Sequence, residues 1–310
     1  MVGAPLASHT FSYSGAGYVV FGKPSFTSPE FELSSLDGSN GIVLESEGAF
    51  TFTGTSVSGA ADVNNDGFDD VIISAIDAPG NNRSGTSYLV FGKSAFTTAG
   101  VSLAALDGCN GIKYFGEARR DSAGISVSGA GDVNGDGTPD LIIGASLHDF
   151  NGNVDCGASY VVFGPTDVNL SKMKVSLNFA KAAKDSVSMR GALRVPAGFE
   201  PSGQQVTVNV GGAATSFTLN TKGAASIGAN SVKIKIKSKG GVVEEQDAPI
   251  TMSFKKGDFA SSLADDGLIN ADRSAAPVGV QVFVSLADKL YHAVAPLTYS
   301  AKQDKAGKAK

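Results

Sequence analysis

Two nine-residue segments of this chain crowd oxygen-bearing side chains into short turns: Asp62-Val-Asn-Asn-Asp-Gly-Phe-Asp-Asp70 and Asp132-Val-Asn-Gly-Asp-Gly-Thr-Pro-Asp140. Positions one, three, five and nine are Asp62, Asn64, Asp66 and Asp70 in the first, and Asp132, Asn134, Asp136 and Asp140 in the second. Gly67 and Gly137 at position six supply the backbone freedom that a sharp turn needs. Three carboxylates held so close repel one another without a cation, and no basic residue nearby is placed to neutralise them. Calcium takes six to eight oxygen ligands and tolerates irregular geometry, whereas magnesium prefers a rigid octahedron with retained waters, so each segment is expected to hold one Ca2+.

Two other readings compete. An EF-hand needs a bidentate Glu at position twelve and flanking helices, but Ile73 and Ile143 stand there in strand-like runs. A metal-free Asp/Asn/Gly turn is the plainer reading, weakened because the whole pattern occurs twice. Asp69 reads as a solvated neighbour. Elsewhere no chemical constellation is visible. His9, His148 and His292 are far apart and lack zinc spacing, and no nucleophile elbow, Walker loop or paired-glycine fingerprint occurs. His148-Asp149 reads as a loop with a surface histidine, and Arg119-Arg120-Asp121 as a solvated turn. The chain is therefore expected not to be an enzyme, although residues distant in sequence can converge in space.

The elements that position the acidic turns repeat. Gly17-Tyr-Val-Val-Phe-Gly-Lys23 returns as Ser87-Tyr-Leu-Val-Phe-Gly-Lys93 and Ser159-Tyr-Val-Val-Phe-Gly-Pro165. Leu36-Asp-Gly-Ser-Asn-Gly-Ile42 matches Leu106-Asp-Gly-Cys-Asn-Gly-Ile112, and Ser56-Val-Ser-Gly-Ala-Ala-Asp62 matches Ser126-Val-Ser-Gly-Ala-Gly-Asp132. The period, from 62 to 132, is 70 residues. Val71-Ile-Ile-Ser74, Leu141-Ile-Ile-Gly144 and Tyr88-Leu-Val-Phe91 are short, β-branched or aromatic and bounded by turn residues, as strands buried on both faces are. About four such strands per period make a unit the size of one propeller blade with long loops.

These elements resemble the FG-GAP repeat of integrin α-subunit propellers and many bacterial surface proteins. The name-giving pairs are Phe21-Gly22, Phe91-Gly92 and Phe163-Gly164, and Gly3-Ala4-Pro5, Ile73-Ser74-Ala75 and Gly144-Ala145-Ser146 occupy the second position. The resemblance covers about residues 1–168 and implies two and a half blades of an integrin α-like β-propeller. It implies a backbone carbonyl ligand at position seven of each calcium loop, from Phe68 and Thr138. Family propellers usually close with seven blades, so the chain is expected to be the C-terminal piece of a longer protein. Met1 to His9 lack the basic start and apolar run of a signal peptide. Cys109 and Cys156 replace Ser39 and Ser84 of the neighbouring repeat. Two coordinated departures predict a meeting, and outside the cell a disulfide would tie adjacent blades; two independent thiols is the other reading.

Charge marks a second domain. Through Asn169 the chain has 6 basic and 19 acidic residues, a formal −13, and the remainder has 19 and 11, a formal +8. The acidic half favours cations and disfavours nucleic acid. Beyond the change of texture near Pro165, alternation dominates: Lys172-Met-Lys-Val-Ser-Leu-Asn-Phe179, Gln205-Val-Thr-Val-Asn-Val210, Ser231-Val-Lys-Ile-Lys-Ile-Lys237 and Ile250-Thr-Met-Ser-Phe254. Period two means one buried and one wet face, so 169–300 is expected to form an antiparallel β-sandwich-like domain of about eight strands. Gly211-Gly212 suits a hairpin. A short helix is expected over Phe259 to Leu268 with Asp258 as cap, and 301–310 as a frayed basic tail. No apolar run approaches the roughly 20 residues of a membrane helix.

The expected whole is all-β: a calcium-stabilised adhesion or ligand-binding module of an extracellular or cell-surface protein, engaging a protein or glycan. An accessory region of a larger secreted enzyme and a structural spacer are the alternatives. Open blade edges leave backbone groups unpaired and invite self-association.

Overall fold

The computed structural model describes all residues except 26–27, 78–82, 150–152, 240, 258, 265 and 288, and it describes the backbone alone of Asp167. The chain divides into two units, Met1–Gly164 and Pro165–Lys310.

The first unit runs β1 (Val2–Ala4), β2 (Ala16–Val20), β3 (Gly41–Glu45), β4 (Thr53–Ala61), β5 (Asp70–Ala75), β6 (Thr86–Val90), β7 (Gly100–Ser102), β8 (Gly111–Phe115), β9 (Ala123–Gly131), β10 (Asp140–Ala145) and β11 (Ala158–Val162). They form three sheets, ordered β1-β2-β3-β7, β4-β5-β6-β8 and β11-β10-β9. All pairings are antiparallel except β3 with β7, which is parallel. The sequence period becomes a structural one. β4 and β9 start at 53 and 123, β5 and β10 at 70 and 140, β2 and β6 at 16 and 86, and β3 and β8 at 41 and 111. The β4-β5-β6-β8 sheet thus holds one full set of these strands, whereas the first sheet lacks the equivalent of β4 and the third the equivalent of β8.

Because each middle strand is apolar on both faces, it fills the space on either side of its sheet. Ile42 and Leu44 of β3 form one buried cluster with Ile73 and Ala75 of β5, Tyr88 and Val90 of β6, and Leu103. Polar ties recur at the same repeat positions. The Tyr88 hydroxyl donates to Glu47, which also takes Lys113 at 2.9 Å, and the equivalent Tyr160 hydroxyl donates to Glu117 at 3.1 Å.

The second unit contains β12 (Thr166–Asp167), β13 (Asn169–Leu177), β14 (Asp185–Val195), β15 (Gln205–Val210), β16 (Ala213–Thr218), β17 (Ala224–Ile227), β18 (Asn230–Ile234), β19 (Gln246–Gly257), β20 (Arg273–Leu286), β21 (Lys289–Lys302) and β22 (Ala306–Ala309). Where a sandwich-like domain of about eight strands is expected, the strands form one sheet, ordered β16-β15-β20-β21-β22-β13-β14-β19-β18-β17, with β12 added in parallel to β21. Its terminal strands, β16 and β17, are consecutive in the chain, so the sheet curls nearly closed around a single core. Alternate residues line that core: Val206, Val208 and Val210 of β15, Val187 and Met189 of β14, Val280, Val282 and Val284 of β20. Gly211 and Gly212, at φ 52° and 82°, turn β15 into β16 in the mirror-image two-residue hairpin that this dipeptide favours.

Two expectations fail here. Residues 301–310 are not frayed: β22 is paired with both β13 and β21, so backbone pairing holds a segment with little apolar content. Phe259 to Leu268 form a series of turns rather than a helix. The Asp185 carboxylate takes the N–H groups of Phe259 and Ala260 at 2.7 and 3.1 Å, later bonds mix three-, four- and five-residue spans, and Gly267 is left-handed at φ 87°. Asp258, the expected cap, lies outside the described residues.

Removal of residues 306–310 exposes the edges of two long strands at once. The thermal transition of the truncated protein, followed by circular dichroism, should fall and broaden; an unchanged melt would show that β22 is dispensable.

Candidate functional site

Both acidic segments join the innermost strand of a sheet to its neighbour, β4 to β5 and β9 to β10. Their local order comes from side-chain oxygens capturing backbone N–H groups. In the first, Asp62 accepts from Asp66 at 2.9 Å and from Gly67 at 2.8 Å, Asn64 accepts from Asp66 at 3.2 Å, and Asp66 accepts from Phe68 at 3.0 Å. The second repeats each bond: Asp132 accepts from Asp136 at 3.0 Å and Gly137 at 2.8 Å, Asn134 from Asp136 at 2.9 Å, and Asp136 from Thr138 at 2.9 Å. Gly67 and Gly137 adopt φ 91° and 90°, a conformation that side chains disfavour.

Position nine closes each loop. Asp70 takes the N–H of Val63 at 2.9 Å with one oxygen and that of Gly92 at 2.8 Å with the other. Asp140 does the same with Val133 at 2.8 Å and Gly164 at 2.9 Å. Gly92 and Gly164 are the glycines of the Phe-Gly pairs, so these carboxylates tie each loop to the end of the next strand. Burial pushes the Asp70 carboxyl up to about 8, opposed by the bonds from Gly92 and Val63 and reinforced by the charges of Asp66 and Asp62. Asp69 is exposed, as expected.

The donor chemistry fits calcium. Each loop offers three carboxylates, an amide oxygen and backbone carbonyls on one short turn, and a cation would offset the burial, and with it the lesser repulsion from Asp66 and Asp62, that lifts Asp70. Among the described residues, however, no three Asp, Glu, His or Cys side chains gather closely enough to hold an ion. The oxygens are instead occupied by backbone N–H groups.

A second polar cluster escaped the sequence reading. The His148 ring lies only 12% exposed, with Nδ1 3.0 Å from Asp121, and Asp121 is itself buried. Tyr160 stands 3.4 Å from the same nitrogen and bonds Glu117. His148 is thus not a surface histidine, nor is Asp121 part of a solvated turn. Asp121 replaces Thr51 of the preceding repeat, and that break in the period was the available signal. The Asp121 bond holds the His148 pKa above its ordinary value, against burial, with Asp121, Glu117 and Asp149 adding favourable charge. Cys156 points its thiol at the His148 carbonyl, 3.4 Å away. No disulfide joins Cys109 to Cys156: Cys109 is buried in its Asp107 turn and Cys156 is exposed. His292 is buried in the second unit against Phe283 and Gln281, and His9 is exposed beside Thr10.

Asp70→Ala orphans two N–H donors and should cost about 1–3 kcal/mol in urea denaturation, whereas Asp69→Ala should cost under about 0.5 kcal/mol. Equal effects would remove Asp70 from its structural role. A histidine whose folded pKa is raised contributes stability that is present below about 6.5 and is lost as pH rises through the folded value. His148→Gln should therefore flatten the decline in stability between pH 6 and 8, and an identical pH profile in the variant would contradict the pairing.

The FG-GAP repeat family matches residues 53–90 and 123–162, each segment spanning one inner strand, one acidic loop and the two strands after it. Integrin alpha pat-2 of Caenorhabditis elegans is 36% identical over 92 residues, which is 30% of this chain and 7% of that protein. The chain therefore spans a small part of this relative's length. Both matched family segments lie in the first unit, start 70 residues apart and each contain one acidic loop: the chain carries FG-GAP repeats.

Proposed function

We propose that the first unit is a calcium-stabilised, integrin α-like ligand-binding module of an extracellular or cell-surface protein, with calcium in a structural role and a protein or glycan as ligand. One observation carries the reading: two FG-GAP repeats present the same oxygen-rich loop on the same hydrogen-bond scaffold. FG-GAP repeats are typical of integrin α-like extracellular ligand-binding modules. Asp62, Asn64, Asp66 and Asp70, with the Phe68 carbonyl, are the ligands of one site. Asp132, Asn134, Asp136 and Asp140, with the Thr138 carbonyl, are those of the other. Calcium supplies positive charge that holds the carboxylates together. Loading draws the side chains in from their backbone partners, and Gly67 and Gly137 keep the turn able to follow. No helix among the described residues is long and apolar enough to cross a membrane.

At free calcium ten times the dissociation constant, each site stabilises the folded form by about 1.4 kcal/mol. Chelation with EDTA should lower the melting temperature of the first unit by roughly 5–10 °C. Asp62→Ala with Asp132→Ala should abolish that response. A melt indifferent to EDTA would sink the calcium assignment. Binding on glycan and protein arrays without turnover is the expected ligand readout, and hydrolysis of a bound compound would overturn the non-catalytic reading.

A further inference from the structure

One face of the second unit gathers basic residues that are scattered in the sequence. Inward residues of β13, β14, β18 and β19, among them Met173, Val187, Val232 and Phe254, are buried in the core, so the pleat commits their neighbours to the outside. Cross-strand pairing sets those neighbours in three rows. Lys308 of β22 lies opposite Ser176 of β13, Ser176 opposite Ser186 of β14, and Ser186 opposite Lys255 of β19. Lys174, Ser188, Ser253 and Ser231 form the next row, and Lys172, Arg190, Thr251 and Lys233 the third. Four strand spacings make this patch about 19 Å wide, and two steps of two residues make it about 14 Å tall.

Lys172, Lys174, Arg190, Lys233, Lys255 and Lys308 are all exposed. The three rows contain no Asp or Glu. Glu245 and Asp247, at the end of the face, are both taken by Arg194, at 3.1 and 3.2 Å, and Asp272 pairs with Lys302 at 3.6 Å. Among the described residues no carboxylate therefore stands within ion-pair distance of the six cations. The outer rows carry every cation except Lys174, and the hydroxyls of Ser188, Ser253 and Ser231 run between them. Although the whole chain is formally −5, the part beyond Asn169 has 19 basic against 11 acidic residues, so the field over this face attracts anions.

We propose that this face binds a linear anionic polysaccharide laid across the strands. Its carboxylate or sulfate groups meet the lysines and Arg190 in the outer rows, and its sugar hydroxyls exchange hydrogen bonds with the serines between them. Charge complementarity carries the anionic part, and the hydroxyl row carries the sugar. A partner held by charge alone has no use for that row. Single-stranded nucleic acid needs aromatic rings on which its bases stack, and an anionic membrane needs apolar side chains that enter it; the three rows hold neither. The surface lies in the second unit alone and rests neither on the calcium nor on the ligand assigned to the first.

The test uses the full chain and a fluorescein-labelled heparin oligosaccharide, followed by anisotropy in about 0.1 M salt. Binding should saturate, weaken as salt rises and resist competition by neutral dextran. Unlabelled heparin and polygalacturonate as competitors tell sulfate from carboxylate, and either order of potency supports the proposal. Lys172→Gln and Lys233→Gln should each weaken binding about fivefold, with the melting temperature unchanged because both side chains are exposed. Lys289→Gln, an exposed lysine ten residues before the stretch of β21 that pairs with β22, should leave binding as it is. Ser188→Ala with Ser253→Ala removes no charge and should still weaken binding several-fold. No saturable binding, wild-type affinity in the Lys172 and Lys233 variants, or an equal loss in Lys289→Gln would each overturn the proposal. Wild-type affinity in the serine variant would leave charge as the sole attraction and overturn the polysaccharide assignment. Tighter binding of oligothymidylate, polyglutamate or phosphatidylserine vesicles would do the same, and would assign the face to nucleic acid, an acidic protein or a membrane.

Discussion

A buried carboxylate at the first residue of a middle strand holds each repeat of the first unit together. Asp70 and Asp140 each spend both oxygens on backbone N–H groups from two separate segments, one in the acidic loop and one in the Phe-Gly turn. Inner, middle and third strands are thereby fixed at one corner, and the loop can neither slide nor open without breaking a hydrogen bond in a poorly solvated place. The arrangement also explains the glycine of Phe-Gly. A Cβ on Gly92 would lie 2.4 Å from the Asp69 carbonyl, and one on Gly164 would lie 2.5 Å from the Pro139 carbonyl, so only glycine lets the turn approach the carboxylate.

The same corner couples structure to the proposed cation. An acidic group that is buried and has acidic neighbours is costly to ionise, and two hydrogen bonds repay only part of that cost. Bringing a cation to the loop changes the sign of the local field and turns the three carboxylates from mutual hindrances into ligands. The scaffold of N–H bonds keeps the turn folded in the meantime. Asp62 holds residues four and five positions ahead through both its oxygens, so the loop has the curvature that a ligand set needs.

Much of this was legible in the sequence because repetition amplifies a weak signal. A single Asp/Asn/Gly turn has many explanations, but two in phase, each followed by an apolar run and a Phe-Gly pair, fix the strand order around them. Alternation likewise revealed the wet and buried faces of the second unit, and Gly211-Gly212 its hairpin. Alternation specifies which side of a strand is buried, not how many strands share one sheet, so the nearly closed single sheet was not readable. Nor was β22, since Ala-Gly-Lys-Ala acquires its strand character from β13 and β21 rather than from its own side chains. The Asp121–His148–Tyr160 cluster stayed hidden because its members lie 27 and 12 residues apart, and the two that break the repeat, Asp121 for Thr51 and His148 for Ala78, do so at separate places in the sequence.

Repeats of nearly identical sequence need not share an environment. Val63 is 1% exposed and its counterpart Val133 is 56%; Phe91 is 4% exposed and Phe163 is 57%; Ile72 is fully covered and Ile142 is 38% exposed. Chemistry and local conformation are the same in each pair, so the difference comes from neighbours. The sheet of β4, β5, β6 and β8 has a sheet packed on each face, whereas β9, β10 and β11 have one. Each repeat therefore encodes two complementary faces, and its apolar pattern is satisfied only in an array, as in other repeat architectures. The exposed valine, phenylalanine and isoleucine of the last sheet are not errors of patterning. They are the same residues that form the interior one repeat earlier, and their exposure marks the face on which the array is open.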